Sequence, residues 1–232
     1  MNLFYATAIH GASIELDSEE SRHLAKVLRL KEGEIVHVIN GKGSRFECKI
    51  ISANPKKATL QIINEEKLNE NFGLSIAAAP TKNLNRWEWF LEKSTELGVD
   101  TIYPLNTFHS ERKLLKHERQ ERILIAAMKQ SYKATLPQLI EIEKFERFIQ
   151  KDYKGQKFIA HCFEHLPRKK LKEVFVQNKP ALVLIGPEGD FSESEVKQAN
   201  DAGFISISLG KSRLRTETAA IVACHSIHLL NE

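Results

Sequence analysis

The spacing of apolar positions changes character near residue 71. Before it, short alternating runs dominate. Ile35-Val36-His37-Val38-Ile39 and Phe46-Glu47-Cys48-Lys49-Ile50-Ile51 flank Asn40-Gly41-Lys42-Gly43-Ser44, whose residues tolerate positive φ, and this pattern predicts a β-hairpin. Thr59-Leu60-Gln61-Ile62-Ile63 predicts a further strand after a turn at Asn54-Pro55-Lys56-Lys57. One helix is expected among them, N-capped by Asp17 with Glu20 completing the cap, and running to about Leu28. It places Leu24, Val27 and Leu28 on an apolar side. Arg22, Lys26 and Arg29, at i, i+4 and i+7, share a basic face suited to phosphates. Several short strands with little helix point to a small barrel. The polar run from Glu65 to Asn71 reads as a linker, dividing the chain into residues 1–70 and 71–232.

After the linker, strands and helices alternate. Leu74–Ala79 reads as a strand, followed by a helix to about Leu97 with Gly98 as its stop. Thr101–Leu105 is the next strand, and a helix spans about Lys116–Tyr132. Leu139–Ile142, Phe158–Cys162, Ala181–Ile185 and Ile205–Leu209 are further apolar runs. Ser192 and Glu195 form a capping box, and the last helix begins near Thr216 with Ala219, Ala220, Ala223, Ile227 and Leu230 as its stripe. The alternation predicts an α/β domain with a mainly parallel sheet covered on both faces. Two of the runs end in glycine-bearing loops, Gly186–Ser192 and Gly210–Ala220, which lie where open α/β sheets bind their ligands.

Composition narrows this little. The chain has 232 residues, 42% hydrophobic and 28% charged, with a formal charge of +4, which is weak evidence of a polyanionic partner. No apolar run approaches the roughly 20 residues of a membrane helix, so no membrane partner is expected, and the first residues lack a leader pattern. Cys48, Cys162 and Cys224 are odd in number and widely spaced. They suggest neither a disulfide framework nor a metal site, and a reducing cytoplasm is the default. His225 and His228 are spaced to share a metal, but helix packing is the expected role. No G-x-G-x-x-G follows a strand, which disfavours a dinucleotide enzyme.

The segments "LIGPEGDFSESE" and "LGKSRLRTETA" closely resemble the C-terminal signature of the RsmE-type rRNA methyltransferases, of the SPOUT class. "SRHLAKVLRLKEGE" resembles the opening of that family's PUA-like RNA-binding β-barrel, and "KNLNRWEWFLEKSTELGVDTIYP" resembles a later stretch of the same family. The resemblance implies a SPOUT-type α/β domain with a C-terminal trefoil knot, working as a homodimer. It implies S-adenosylmethionine as methyl donor without a metal, and as product a uridine methylated at N3 in the decoding region of 16S rRNA in the small ribosomal subunit. Carried over, the cofactor would be held by Cys162, Phe163, Gly186, Glu188, Gly189, Leu209, Gly210, Ser212, Arg213 and Leu214. Arg215, Arg86 and Glu217 would act on the base, with Glu217 either positioning Arg215 or taking the proton. Arg22, Lys26, Arg29, Lys82, Arg86 and Gln130 would contact RNA. Trp89 is free to stack on a base, whereas Trp87 reads as core.

Several positions depart from the family pattern. Asp190 stands where glycine is usual, although Asp tolerates the left-handed conformation; Lys133 replaces an arginine; Met128-Lys129 replaces small or acidic residues. The departures at Asp190 and Lys133 would suit a ribosome assembly factor without catalysis. A SPOUT enzyme with another nucleotide specificity is the remaining alternative.

Overall fold

The structure is a computed structural model describing residues 2–68 and 71–232. Asn69 and Glu70, in the expected linker, lie outside the described residues. The chain forms two compact units, one of Met1–Glu70 with Ile125–Leu136, the other of Asn71–Leu124 with Pro137–Glu232.

The first unit holds β1 (Leu3–Tyr5), β2 (Ala8–His10), β3 (Ser13–Glu15), α1 (Ser18–Arg22), β4 (Ile35–Ile39), β5 (Ser44–Ser52) and β6 (Thr59–Lys67). Its six strands form one sheet in the order β1-β4-β5-β6-β3-β2. The β4–β5 hairpin pairs Val36 with Cys48 and Val38 with Phe46, and these inward positions join Phe4, Ile14, Leu24 and Leu60 in the core. Strand β6 runs further than its apolar pattern suggests. Glu65, Glu66 and Lys67, expected in the linker, pair with Phe46, Arg45 and Ser44, and Arg45 adds an ion pair to Glu66 at 2.5 Å.

The helix also departs from expectation. Asp17 caps it through Glu20 N at 2.8 Å, but the Glu20 carboxylate turns away, towards Tyr5 N and the ammonium of Lys129. A π-helical turn, His23–Val27, follows α1. Bonds from i to i+5 widen the turn and rotate what comes after it. Leu24 is buried, but Val27 is 64% and Leu28 37% exposed, and Arg29 lies beyond the helix with φ 55°. Arg22, Lys26 and Arg29 are thus all exposed but do not share one helical face.

The second unit holds β7 (Leu74–Ala78), α2 (Leu84–Leu97), β8 (Thr101–Asn106), β9 (Gln138–Leu139), β10 (Glu143–Lys144), α4 (Phe145–Phe148), β11 (Gln156–Ala160), β12 (Lys169–Lys170), α5 (Leu171–Val174), β13 (Ala181–Ile185), α6 (Glu193–Asp201), β14 (Ile205–Ser208) and α7 (Thr216–Asn231). Helix α3 (His117–Gln130) begins in this unit and ends in the first. The sheet order is β10-β8-β7-β13-β11-β14-β12, with β9 beside β8, and the pairs are parallel. The run Leu139–Ile142 thus divides between two short strands, and β11 ends at Ala160, leaving His161 and Cys162 in the following loop. Strands β7 and β13 are wholly buried, as suits the all-apolar β13 and a β7 broken only by the small Ser75. Leu182 and Leu184 face a core with Phe145, Phe191 and Val196, while α7 packs against β7, β13 and α2. Gly98 stops α2 in the left-handed conformation at φ 89°, and Ser192 and Glu195 form the capping box of α6.

Candidate functional site

Three neighbouring parallel strands, β13, β11 and β14, deliver their C-terminal loops to the same place. Between these loops lies a cavity of about 880 Å³. Of the residues that the resemblance assigns to a cofactor, Cys162, Gly186, Glu188, Leu209, Gly210, Ser212, Arg213 and Leu214 line it. Phe163 and Gly189 do not. Phe163 packs against the core beneath, and Gly189 leaves room for His109, whose Cβ would lie 3.1 Å from an added methyl. Gly186 is required by packing: a Cβ there would sit 2.9 Å from Phe191 N and 3.1 Å from Asp190 C, and backbone cannot rotate away.

Asp190 joins two of the loops. It adopts φ 64°, the left-handed conformation that its residue type tolerates. Its Oδ2 accepts from Cys162 N at 2.7 Å, its Oδ1 from Phe191 N at 2.8 Å, and its carbonyl oxygen lies 3.0 Å from His109 Nδ1. The residue that departs from the usual glycine therefore supplies a tie that glycine lacks. Burial, reinforced by the Asp190 charge, raises the Cys162 thiol pKa.

His161 is a lining residue that sequence reasoning missed, having placed it inside a strand. It is 4% exposed, neither ring nitrogen has a hydrogen-bond partner among the described residues, and Arg168 donates to its carbonyl oxygen at 2.7 Å. Burial lowers its pKa, with the Asp190 charge opposing, so the imidazole is held neutral. The available signal was position: a histidine at the C-terminal end of a buried parallel strand.

A second cavity of about 670 Å³ shares Arg213, Leu214 and Arg215 with the first, and is completed by Asn85, Arg86 and Trp89 of α2 and Glu217 and Thr218 of α7. It brings Arg86, Arg215 and Glu217 together. Glu217 Oε1 lies 3.7 Å from Arg86 Nε, so its ion-pair partner here is Arg86. The Glu217 side chain is 8% exposed and its Oε2 has no hydrogen-bond donor among the described residues.

The other candidates are scattered. Lys82 is exposed and paired with Glu111 at 2.8 Å, which raises its pKa, and its backbone N–H donates to Glu188 Oε1. Arg22, Lys26, Arg29 and Gln130 are exposed in the first unit. Trp87 is buried with its indole N–H directed at Gln120, whereas Trp89 is 42% exposed. His225 is exposed and His228 packs edge-on against Phe72. Among the described residues no group of three or more His, Cys, Asp or Glu is arranged to hold a metal, and no helix is long and apolar enough to cross a membrane.

Known proteins resemble this chain along most of its length. A family model described as an RNA methyltransferase domain matches residues 68–228, and one described as an RNA methyltransferase PUA domain matches residues 16–63. Ribosomal RNA small subunit methyltransferase E of Aquifex aeolicus is 30% identical over 95% of this chain and 96% of its own length. The crystal structure of a probable rRNA methyltransferase from Porphyromonas gingivalis superposes with a TM-score of 0.93 at 40% identity, covering 100% of this chain and 98% of that one. Ribosomal RNA small subunit methyltransferase E from Neisseria gonorrhoeae, solved bound to S-adenosyl methionine, gives a TM-score of 0.85 at 28% identity, over 99% and 98% of the two chains.

Proposed function

The chain belongs to the ribosomal RNA small subunit methyltransferase E family, and from that premise we propose that it methylates N3 of a uridine in the decoding region of 16S rRNA, using S-adenosylmethionine. The observation that carries this reading is the pair of adjoining cavities: one built from three strand-end loops, the other holding Arg86, Arg215 and Glu217 beside it. The first cavity suits the cofactor. It is large enough, its backbone is exposed by Gly186 and Gly210, and the Asp190 carboxylate favours a cationic guest. Cys162, Gly186, Leu209, Gly210 and Leu214 would present main-chain groups to it, and the neutral His161 adds no opposing charge.

When bound, the cofactor supplies an electrophilic methyl group on a sulfonium. Uracil N3–H is a weak acid, so N3 must lose its proton to become an effective nucleophile. Arg215 and Arg86 stabilise the charge that develops on the base, and Glu217 receives the N3 proton. N3 then forms its bond to the methyl carbon as the carbon–sulfur bond breaks, leaving a neutral thioether. The protein's main contribution is to hold the two reactants in line.

The same reading assigns RNA gripping to Arg22, Lys26 and Arg29 on the PUA-like barrel of residues 1–70, and to Lys82 and Gln130. It includes the SPOUT trefoil knot in residues 71–232, a homodimer and a cytoplasmic location. The test uses purified protein, labelled S-adenosylmethionine and small subunits from a strain lacking the homologous enzyme, followed by nucleoside analysis. Label in N3-methyluridine is expected. No transfer, together with no cofactor binding by calorimetry, would replace the enzyme reading with that of an assembly factor, and label in another nucleoside would correct the specificity.

A further inference from the structure

Helix α3 ends on a tyrosine where the backbone suits glycine. Lys133 N donates to Met128 O at 3.1 Å and Tyr132 N to Lys129 O at 3.3 Å, and Tyr132 takes φ 58°. This pair of bonds closes a helix through one left-handed residue, a place that glycine fills without steric cost. A bulky side chain there brings its Cβ against the following carbonyl oxygen. The turn is imposed by its surroundings. Met128 and Ala134, on either side of it, are buried in a small core with Ile39. Gly43 N donates to Ala134 O at 3.0 Å and Leu136 N to Gly41 O at 2.9 Å, which joins the β4–β5 hairpin loop to the chain after α3.

The Tyr132 ring gains little from that packing. It is 48% exposed, and among the described residues its hydroxyl makes no hydrogen bond and its ring no aromatic contact. A strained backbone that displays an aromatic side chain argues from an observed outlier to a function. The neighbouring charges indicate the partner. Lys133 is the next residue, and Lys42 is bridged across to Thr135. Neither lysine has an ion-pair partner among the described residues, whereas the acids of β6 are engaged, Glu65 by Ser44 and Glu66 by Arg45. An apolar protein partner would leave both ammonium groups desolvated and unpaired. Single-stranded nucleic acid suits all three side chains: a base stacks on the ring and the phosphates meet the lysines.

We propose that Tyr132 is the stacking platform of a single-stranded RNA contact on the first unit, with Lys42 and Lys133 as its phosphate partners. Tyr132 lines neither of the two cavities, so the base it holds is not the one that is methylated. The proposal deepens the reading of the protein as an rRNA methyltransferase and rests on it for the source of the RNA.

The contact is tested by fluorescence anisotropy of a labelled oligoadenylate with the full-length protein, without cofactor, at several salt concentrations. Tyr132→Ala should weaken binding about 5- to 150-fold, the range of one base–aromatic stack, with the salt slope unchanged. Tyr132→Phe should stay within a few-fold of the parent. Lys42→Gln and Lys133→Gln should each lower the salt slope by about 0.7, the loss of one phosphate contact. Thermal melts give an independent sign. Tyr132→Gly should bind as weakly as Tyr132→Ala yet melt at least as high as the parent, because glycine relieves the left-handed strain. Parent-like affinity in Tyr132→Ala or Tyr132→Gly would overturn the contact. A glycine variant that melts below the parent would make Tyr132 a packing residue instead. Equal losses on an RNA duplex of the same length would remove the stacking role. Loss of binding to small subunits with oligoadenylate binding intact would assign the surface to a protein partner and overturn the RNA reading. No methyl transfer is measured, so failure of the reaction and failure of the contact are told apart.

Discussion

Replacing Asp190 separates what its backbone needs from what its carboxylate does. The carboxylate takes two backbone N–H donors, Cys162 N at 2.7 Å and Phe191 N at 2.8 Å. Hydrogen bonds to charged groups contribute about 1.5–3 kcal/mol each when shielded. Both sites are at least partly open to water, so roughly 1 kcal/mol each is the better figure, or about 2 kcal/mol for the pair. The backbone at φ 64° adds a second cost for residues other than Gly, Asn and Asp, about 1 kcal/mol for alanine. Asp190→Asn keeps the backbone tolerance and one acceptor, and should lose about 1 kcal/mol. Asp190→Gly loses both bonds but relaxes the backbone, costing about 2 kcal/mol. Asp190→Ala loses on both counts, about 3 kcal/mol, a fall of roughly 6–12 °C for a unit of this size. Urea denaturation at neutral pH measures the series. Because the tie joins two loops of the proposed cofactor cavity, calorimetry with S-adenosylmethionine should show affinity falling about tenfold in Asp190→Gly, equivalent to about 1.4 kcal/mol. An alanine variant as stable as the parent, or more stable than the glycine variant, would refute the reasoning.

Gly186→Ala should cost about 1–3 kcal/mol by overpacking against the Phe191 backbone, and should weaken cofactor binding more than Gly210→Ala, where a Cβ meets nothing within 4 Å and only the φ of 147° resists; calorimetry on both compares them. His161→Phe removes two unpartnered ring nitrogens at similar shape, so stability at pH 8 should be equal to or above that of the parent. Since burial lowers the native His161 pKa below 6.5, the unfolded chain takes up its proton first as pH falls. Parent stability should therefore fall from about pH 6.5 downward towards the native value, and denaturation melts of His161→Phe should lack that portion of the loss. Lys129→Ala leaves the buried Glu20 carboxylate with the Tyr5 N–H but no cation, and with no partner for Oε2 among the described residues, and should cost about 2–4 kcal/mol; adding Glu20→Gln should recover part of it in the same melts.

How far these features were legible in the sequence depends on the range of the forces that set them. The capping box of Ser192 and Glu195, the left-handed stop at Gly98 and the buried strands β7 and β13 are decided within a few residues, and sequence reasoning places them. The glycine-bearing loops are legible for the same reason, since a strand must end before backbone can meet a ligand. The helix after Asp17 fails the other way. Its apolar residues suggest a regular helix, but of Leu24, Val27 and Leu28 the core of the sheet takes only Leu24, and Val27 and Leu28, at and after the π-helical turn, lie outward. No local pattern announces that, because the competing term is packing against Phe4 and its neighbours in the core.

Lys129 and Asp190 make the same division within single residues. From the sequence Lys129 is only a substitution against a family pattern; in the structure it meets Glu20, 109 positions away. Its role belongs to a pair, and neither member alone predicts the other. Asp190 is half legible. Its residue type foretells a tolerated left-handed turn, while its bond to Cys162 N depends on β11 and β13 lying side by side. That adjacency also assembles the cavity, which is why the loops could be named from the sequence while His161, placed inside a strand, was passed over. A histidine becomes part of a site through the strand ends that surround it, and those are fixed by the order in which the sheet is laid down.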